Sequence, residues 1–350
     1  MPKLLDPITI GDLSLRNRVV MAPLTRCRSS EGRVPNALMA EYYVQRASAG
    51  MILSEATSVD PMGVGYPDTP GIWSDAQVAG WKLVTDAVHE AGGLILLQLW
   101  HVGRVSHPLY LDGALPLAPS AIRPAGTVSL VRPKTEFVTP RALERDEIPG
   151  IIAAYKLGAE NAKRAGFDGV EVHGANGYLL DQFLQDKTNT RTDDYGGGIE
   201  NRARLMIEVV DACIGVWGAG LVGLHLAPRG DAHDMGDSNP LATFGYVAEQ
   251  MKARGLAFLC ARESLGENRI GPQLKKIFGG AYIANEGFTP ETAQEVLEKG
   301  EADAVAFGKT FIANPDLPHR FAVSAALNAQ KPELFYAPGP AGYTDYPALS

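Results

Sequence analysis

Leu94-Ile95-Leu96-Leu97-Gln98-Leu99 is an almost unbroken apolar run. A strand with one face in water alternates apolar and polar residues, whereas a run this continuous belongs to a strand covered on both faces, as in a parallel sheet flanked by helices. Similar short runs lie on either side of it, at Val19–Leu24, Met51–Ala56, Gly169–His173, Leu221–Leu226, Leu256–Cys260, Ala281–Ala284 and Ala304–Phe307. Helical patterns with marked ends separate them. Ser74-Asp75-Ala76-Gln77 is a capping box, followed by Trp81, Val84 and Val88 on one face and Gly92 at the far end. Thr289-Pro290-Glu291 places a cap, a first-turn proline and an acid at a helix start that Gly300 closes. Eight strand–helix units predict an α/β fold of the (β/α)8 TIM-barrel type. A doubly wound open sheet is the competing arrangement.

Composition narrows the function. The 350 residues carry 32 Lys+Arg against 40 Asp+Glu, a net charge of −8, with 45% hydrophobic and 21% charged residues. That is a soluble globular chain, and its acidic balance argues against a nucleic-acid or anionic-membrane partner, which needs a basic face. No stretch approaches the roughly 20 apolar residues of a membrane span, and the N-terminus lacks the apolar core of a signal peptide. Cys27, Cys213 and Cys260 are odd in number with no C-x-x-C spacing, so no disulfide framework is expected and a reduced, cytoplasmic protein is. Barrels run to this length as one domain, so residues 1–350 read as a single barrel. One interval is anomalous. Residues 101–141, His101 to Arg141, hold six prolines and read as an excursion or lid between strands three and four. Pro338–Tyr343 reads as an extended surface tail.

Two motifs fail on context. Gly218-Ala219-Gly220-Leu221-Val222-Gly223 matches G-x-G-x-x-G but leads into a strand instead of following one, so no helix start is there to hold a pyrophosphate. Gly308-Lys309-Thr310 resembles the end of a P-loop, yet the first glycine position is Asp303. In a barrel, chemistry sits at the C-terminal ends of the strands. Pro23, Leu24 and Thr25 follow strand one, Ala56 follows strand two, and strand three carries Gln98 and Trp100. Strand four ends in His173-Gly174-Ala175-Asn176-Gly177-Tyr178, a cluster of hydrogen-bonding side chains that is costly to bury without a purpose. His225 stands on strand five. Gly287, Gly308 and Lys309 follow strands seven and eight, where barrels often bind phosphate. The seven histidines form no metal constellation, His173 and His225 lacking a clustered carboxylate, and no metal is expected.

At these positions the chain resembles the Old Yellow Enzyme family. The likeness rests on Asn17–Arg26, Ser54–Thr57, Gln98–His101, His173–Leu180, Tyr195–Gly197, Phe307–Lys309 with Asn314–Pro318, and Gly342–Pro347. It implies FMN as cofactor, NADPH as reductant, and activated alkenes or nitro compounds as substrates. By the same resemblance Pro23, Leu24, Thr25, Ala56, Gln98 and His225 would line the isoalloxazine, and Gly287, Gly308 and Lys309 would face the FMN phosphate. His173 and Asn176 would bind the substrate oxygen, Tyr178 would donate the proton, and Tyr66, Trp100 and Tyr343 would shape the pocket. Strand five of the family usually carries arginine where this chain has His225, replacing a permanent cation with an imidazole. A barrel lyase using Lys309 as a Schiff-base nucleophile is the alternative, as is a flavin-binding barrel of low turnover.

Overall fold

The computed structural model describes residues 1–349. Eight parallel strands close into a barrel: β1 Val19–Met21, β2 Met51–Leu53, β3 Ile95–Trp100, β4 Gly169–Gly174, β5 Val222–Leu226, β6 Phe258–Arg262, β7 Ala281–Asn285 and β8 Ala304–Phe307. Each pairs with the next and β8 returns to β1, so the open-sheet alternative is excluded. Only β8 keeps the bounds of the sequence reading; four strands shift by a single residue at one or both ends, β2 ends at Leu53 rather than Ala56, and β1 and β6 differ for visible reasons. β1 stops before Pro23, which has no N–H to continue the ladder. β6 starts at Phe258 because Leu256 is taken up in closing the preceding helix, Pro240–Arg254. There Gly255 takes φ 65° and the Leu256 N–H bonds back to the Met251 carbonyl, a Schellman closure.

The helices lie outside. Asp75–Glu90 starts on the expected Ser74–Gln77 capping box and buries Trp81, Val84 and Val88 against the barrel. Each such side chain contributes about 1.5–3 kcal/mol of burial. Pro290–Glu298 starts at the expected Thr289 cap. Inside the barrel, Val20, Leu53, Leu96, Phe258 and Ile283 pack in layers, and Gly223 leaves the room: a Cβ there would fall 2.1 Å from the Phe258 ring. A hairpin of Ile8–Ile10 and Leu13–Leu15, absent from the sequence reading, plugs the N-terminal end with Ile10, Leu13 and Leu15. The interior is therefore apolar at the bottom, and polar side chains concentrate toward the strand C-termini.

Residues 101–141 contain little regular structure, a 3-10 turn at Pro108–Tyr110 and a short parallel pairing of Leu117–Ala118 with Arg141–Ala142. Their Val102, Val105, Val128 and Phe137 pack with Trp100 behind Tyr66 and Tyr178. Pro338 to Ala341 lie at the surface as expected, but Gly342 and Tyr343 turn inward and the segment's backbone is pinned. Arg28 donates to the carbonyls of Leu334, Phe335, Gly339 and Ala341, and Arg26 to those of Phe335 and Gly342. Two buried guanidiniums need acceptors, and the returning backbone supplies them.

Candidate active site

A cavity of about 690 Å³ opens at the C-terminal ends of the strands, within the range of small-molecule sites. Thirteen of the fifteen side chains or backbone positions named from the sequence line it: Pro23, Leu24, Thr25, Ala56, Tyr66, Gln98, His173, Asn176, Tyr178, His225, Gly287, Gly308 and Lys309. The other two do not. Trp100 lies one layer behind, fully buried, with its ring 5.1 Å from Tyr178 and 5.5 Å from Tyr66. Tyr343 is wholly buried in the anchored tail, stacked on Tyr42 at 4.0 Å beneath the Arg28 guanidinium. The tyrosine that the tail delivers to the cavity is Tyr336. Sequence alone offered no way to choose between them, because the choice depends on where Arg26 and Arg28 pin the backbone.

The polar cluster after β4 is held in one conformation. Asn176 (φ 60°) and Gly177 (φ 77°) turn the chain through the left-handed region, which asparagine tolerates and where a Cβ on Gly177 would press within 2.8 Å of Met235. The buried Asp181 carboxylate accepts the Gly177 N–H at 2.9 Å, fixing the turn between Asn176 and Tyr178. His173 Nδ1 accepts the Ala175 N–H at 3.3 Å. An acceptor at Nδ1 places the ring proton on Nε2, the nitrogen left for the cavity. Desolvation, then the charges of His225 and Arg262, holds the His173 pKa well below its ordinary value, so the ring is a neutral donor. Tyr178 is the opposite case. Burial raises its phenol well above the ordinary value, and its hydroxyl lies 2.9 Å from that of Tyr66. It keeps its proton across the neutral range.

The floor departs from the sequence reading, which gave His173 and His225 no carboxylate. Glu171, two residues before His173 on the same face of β4, is fully buried between β3 and β5. It accepts Gln98 Nε2 at 2.7 Å on one oxygen and faces His225 Nδ1 at 3.1 Å on the other. Ligand atoms of Glu171, His225 and Cys260 all lie within 4.8 Å of one another. Gln98, Glu171 and His225 form a hydrogen-bonded chain in which both carboxylate oxygens are engaged, and burial together with Glu171 pushes the Cys260 thiol up, away from a metal-binding thiolate. The signal was present in the sequence, since a carboxylate inside an apolar strand is never placed idly. Arg262 at the end of β6 was also missed, although the strand-end rule reaches it, and it lines the cavity beside Glu286, the anion next to the phosphate-facing loop.

Residues 3–328 match the NADH:flavin oxidoreductase / NADH oxidase family. Barrel and site are thus those of a flavin-dependent oxidoreductase. The fold superposes on morphinone reductase in complex with tetrahydroNAD at a TM-score of 0.97, with 50% identity over 100% of this chain and 98% of that one. It superposes equally, at 0.97, on the Old Yellow Enzyme homologue from Zymomonas mobilis, with 45% identity over 99% and 100%. Among sequences, 12-oxophytodienoate reductase 1 of Oryza sativa subsp. japonica is 44% identical over 99% of this chain and 93% of its own length. The chain belongs to the Old Yellow Enzyme family, FMN-dependent enzymes that reduce the double bonds of activated alkenes.

The residues present fit FMN. Pro23, Leu24 and Ala56 give an apolar wall, and Thr25 gives a hydroxyl. Gln98, having given its N–H to Glu171, turns toward the cavity an amide oxygen that has no hydrogen-bond partner among the described residues. At Gly287 (φ 76°) nothing lies within 4 Å of the missing Cβ, and at Gly308 a Cβ would meet Leu24 at 3.4 Å. Backbone left this open beside Lys309 suits a phosphate, and Lys309 supplies a point charge rather than a bidentate fork.

Proposed function

We propose that this enzyme reduces the C=C bond of α,β-unsaturated carbonyl or nitro compounds, with NADPH as reductant. Pro23, Leu24, Thr25, Ala56, Gln98 and His225 hold the isoalloxazine, and Gly287, Gly308 and Lys309 hold the phosphate. When bound, FMN supplies the hydride chemistry. Attack at the β-carbon throws negative charge onto the substrate oxygen, and stabilising that charge lowers the barrier. The observation that carries this reading is the fixed tautomer of His173, whose Nδ1 is committed to the Ala175 N–H. A neutral Nε2–H and the Asn176 amide are then two donors that need no reorganisation. Tyr178 gives its proton to the α-carbon, and Tyr66, hydrogen-bonded to it, is placed to restore it. Tyr336 takes the pocket-shaping role first given to Tyr343, and residues 101–141 act as cover behind Trp100. Three buried free thiols suit a reducing, cytoplasmic setting.

The tests separate the parts. Replacing His173 and Asn176 together by alanine is expected to cost at least about 3 kcal/mol in alkene reduction and less in reduction by the nicotinamide. Tyr178→Phe is expected to slow enone reduction by roughly 10²-fold or more and to spare nitro-group reduction, which needs no proton on carbon. Equal losses on both substrate types would assign Tyr178 to packing. Parallel kcat/KM measurements with NADPH and NADH decide the reductant, and a preference for NADH would overturn that part.

A further inference from the structure

The Asn176 side chain is not free to choose which end it shows to the cavity. Its Oδ1 lies 3.1 Å from Nη1 of Arg262, at the end of β6. A guanidinium carries five donors and no acceptor, so the amide atom facing it is the oxygen, and the NH2 is the end left over. Arg262 is fixed in turn by Glu286, which takes Nη2 at 3.1 Å on one carboxylate oxygen and Nε on the other. Glu286 adopts φ 97°, a backbone strained for any residue but glycine, directly before the open Gly287. Strain of that kind persists where its surroundings hold it, and here the two-pronged contact with Arg262 does so. Asn176, Arg262 and Glu286 all line the cavity, yet they come from the ends of three different strands.

We propose that Arg262, held by Glu286, is a positioning residue that locks the Asn176 amide with its N–H toward the substrate oxygen. Without Arg262 the half-exposed amide can turn over. Its oxygen then faces the developing negative charge, and a donor becomes a repulsive group. Arg262 also adds a permanent positive charge near the site, felt at His173 and Tyr178. The chain of contacts ties the substrate-oxygen site to the segment leading into the phosphate-facing loop.

The inference rests on Asn176 being one of the two oxygen-binding donors, and a double-mutant cycle separates its failure from the failure of that reading. FMN-loaded enzyme is pre-reduced with dithionite and mixed with cyclohexenone, and flavin reoxidation is followed. Arg262→Met is expected to slow this step about tenfold in the native background and less than twofold in Asn176→Ala. Arg262→Lys, which keeps a donor and the charge, is expected to recover most of the rate. Glu286→Gln, which leaves Arg262 present but loosely held, gives a smaller loss that also disappears in Asn176→Ala; it serves if Arg262→Met does not fold. FMN content and melting temperature should stay at native values in the variants compared. Equal losses in both backgrounds would show that Arg262 acts on the substrate directly and overturn the proposal. An unaltered rate in Asn176→Ala alone would remove Asn176 from the oxygen site, and both readings would fall.

Discussion

Glu171→Gln tests the buried floor of the site. The native carboxylate has two oxygens for two donors, Gln98 Nε2 at 2.7 Å and His225 Nδ1 at 3.1 Å, and it is wholly shielded from water. Glutamine is nearly the same size but offers one oxygen and one NH2. If its oxygen serves His225, its NH2 faces the Gln98 NH2, and the cheapest escape is for Gln98 to turn its amide over. The cavity then meets an NH2 where an acceptor stood. A buried polar group facing the wrong partner costs about 1–3 kcal/mol. At about 1.4 kcal/mol per decade, FMN binding weakens roughly 5- to 140-fold. The assay is titration of the apoprotein with FMN by flavin fluorescence, with circular dichroism and thermal melting of the apo form as the fold control. Unchanged FMN affinity in a folded Glu171→Gln protein would refute the reasoning, because it would mean that the Gln98 orientation is not set by Glu171.

His225→Arg puts a permanent, five-donor cation in contact with Glu171 on the floor of the site, so the flavin midpoint potential should rise and FMN should bind more tightly; a redox titration and an FMN titration on both proteins read this, and identical potentials and affinities would count against it. Glu55 is buried, and desolvation pushes its pKa from 4.5 up to about 7 despite the Arg26 N–H and Tyr43 hydroxyl on its oxygens. Between about pH 4.5 and 7 the unfolded chain has released a proton that the folded chain retains, so stability falls as pH rises through that window, by about 3 kcal/mol from this group. Glu55→Gln should flatten the melting-temperature profile there, leaving the part due to Asp181, which burial also raises to about 7. Arg28→Met removes the donors that pin Leu334 to Ala341, so it should lower stability by about 2 kcal/mol or more and expose the tail to limited proteolysis. It should also raise the enone KM by releasing Tyr336; a proteolysis pattern like the native one would argue against the anchor.

The barrel was legible because its information is local. An apolar run of five or six residues announces a strand covered on both faces, a capping box announces a helix, and eight repetitions leave few closures. The strand-end rule then reached most of the cavity, and His173, Asn176 and Tyr178 were found together because one turn carries all three. The pairings between elements were not local. Gln98 and His225 meet Glu171 from 73 and 54 residues away, and nothing in the strand pattern states that the three share one level of a closed barrel. Arg262 reaches Asn176 across 86 residues. The choice of Tyr336 over Tyr343 was made by two arginines some 300 residues earlier, whose need for acceptors folds the tail back. Sequence set which chemical groups stand at the strand ends, because strand and helix periods repeat over a few residues. Tertiary structure alone decided which way those groups face, because a hydrogen bond is assigned only when both partners have arrived.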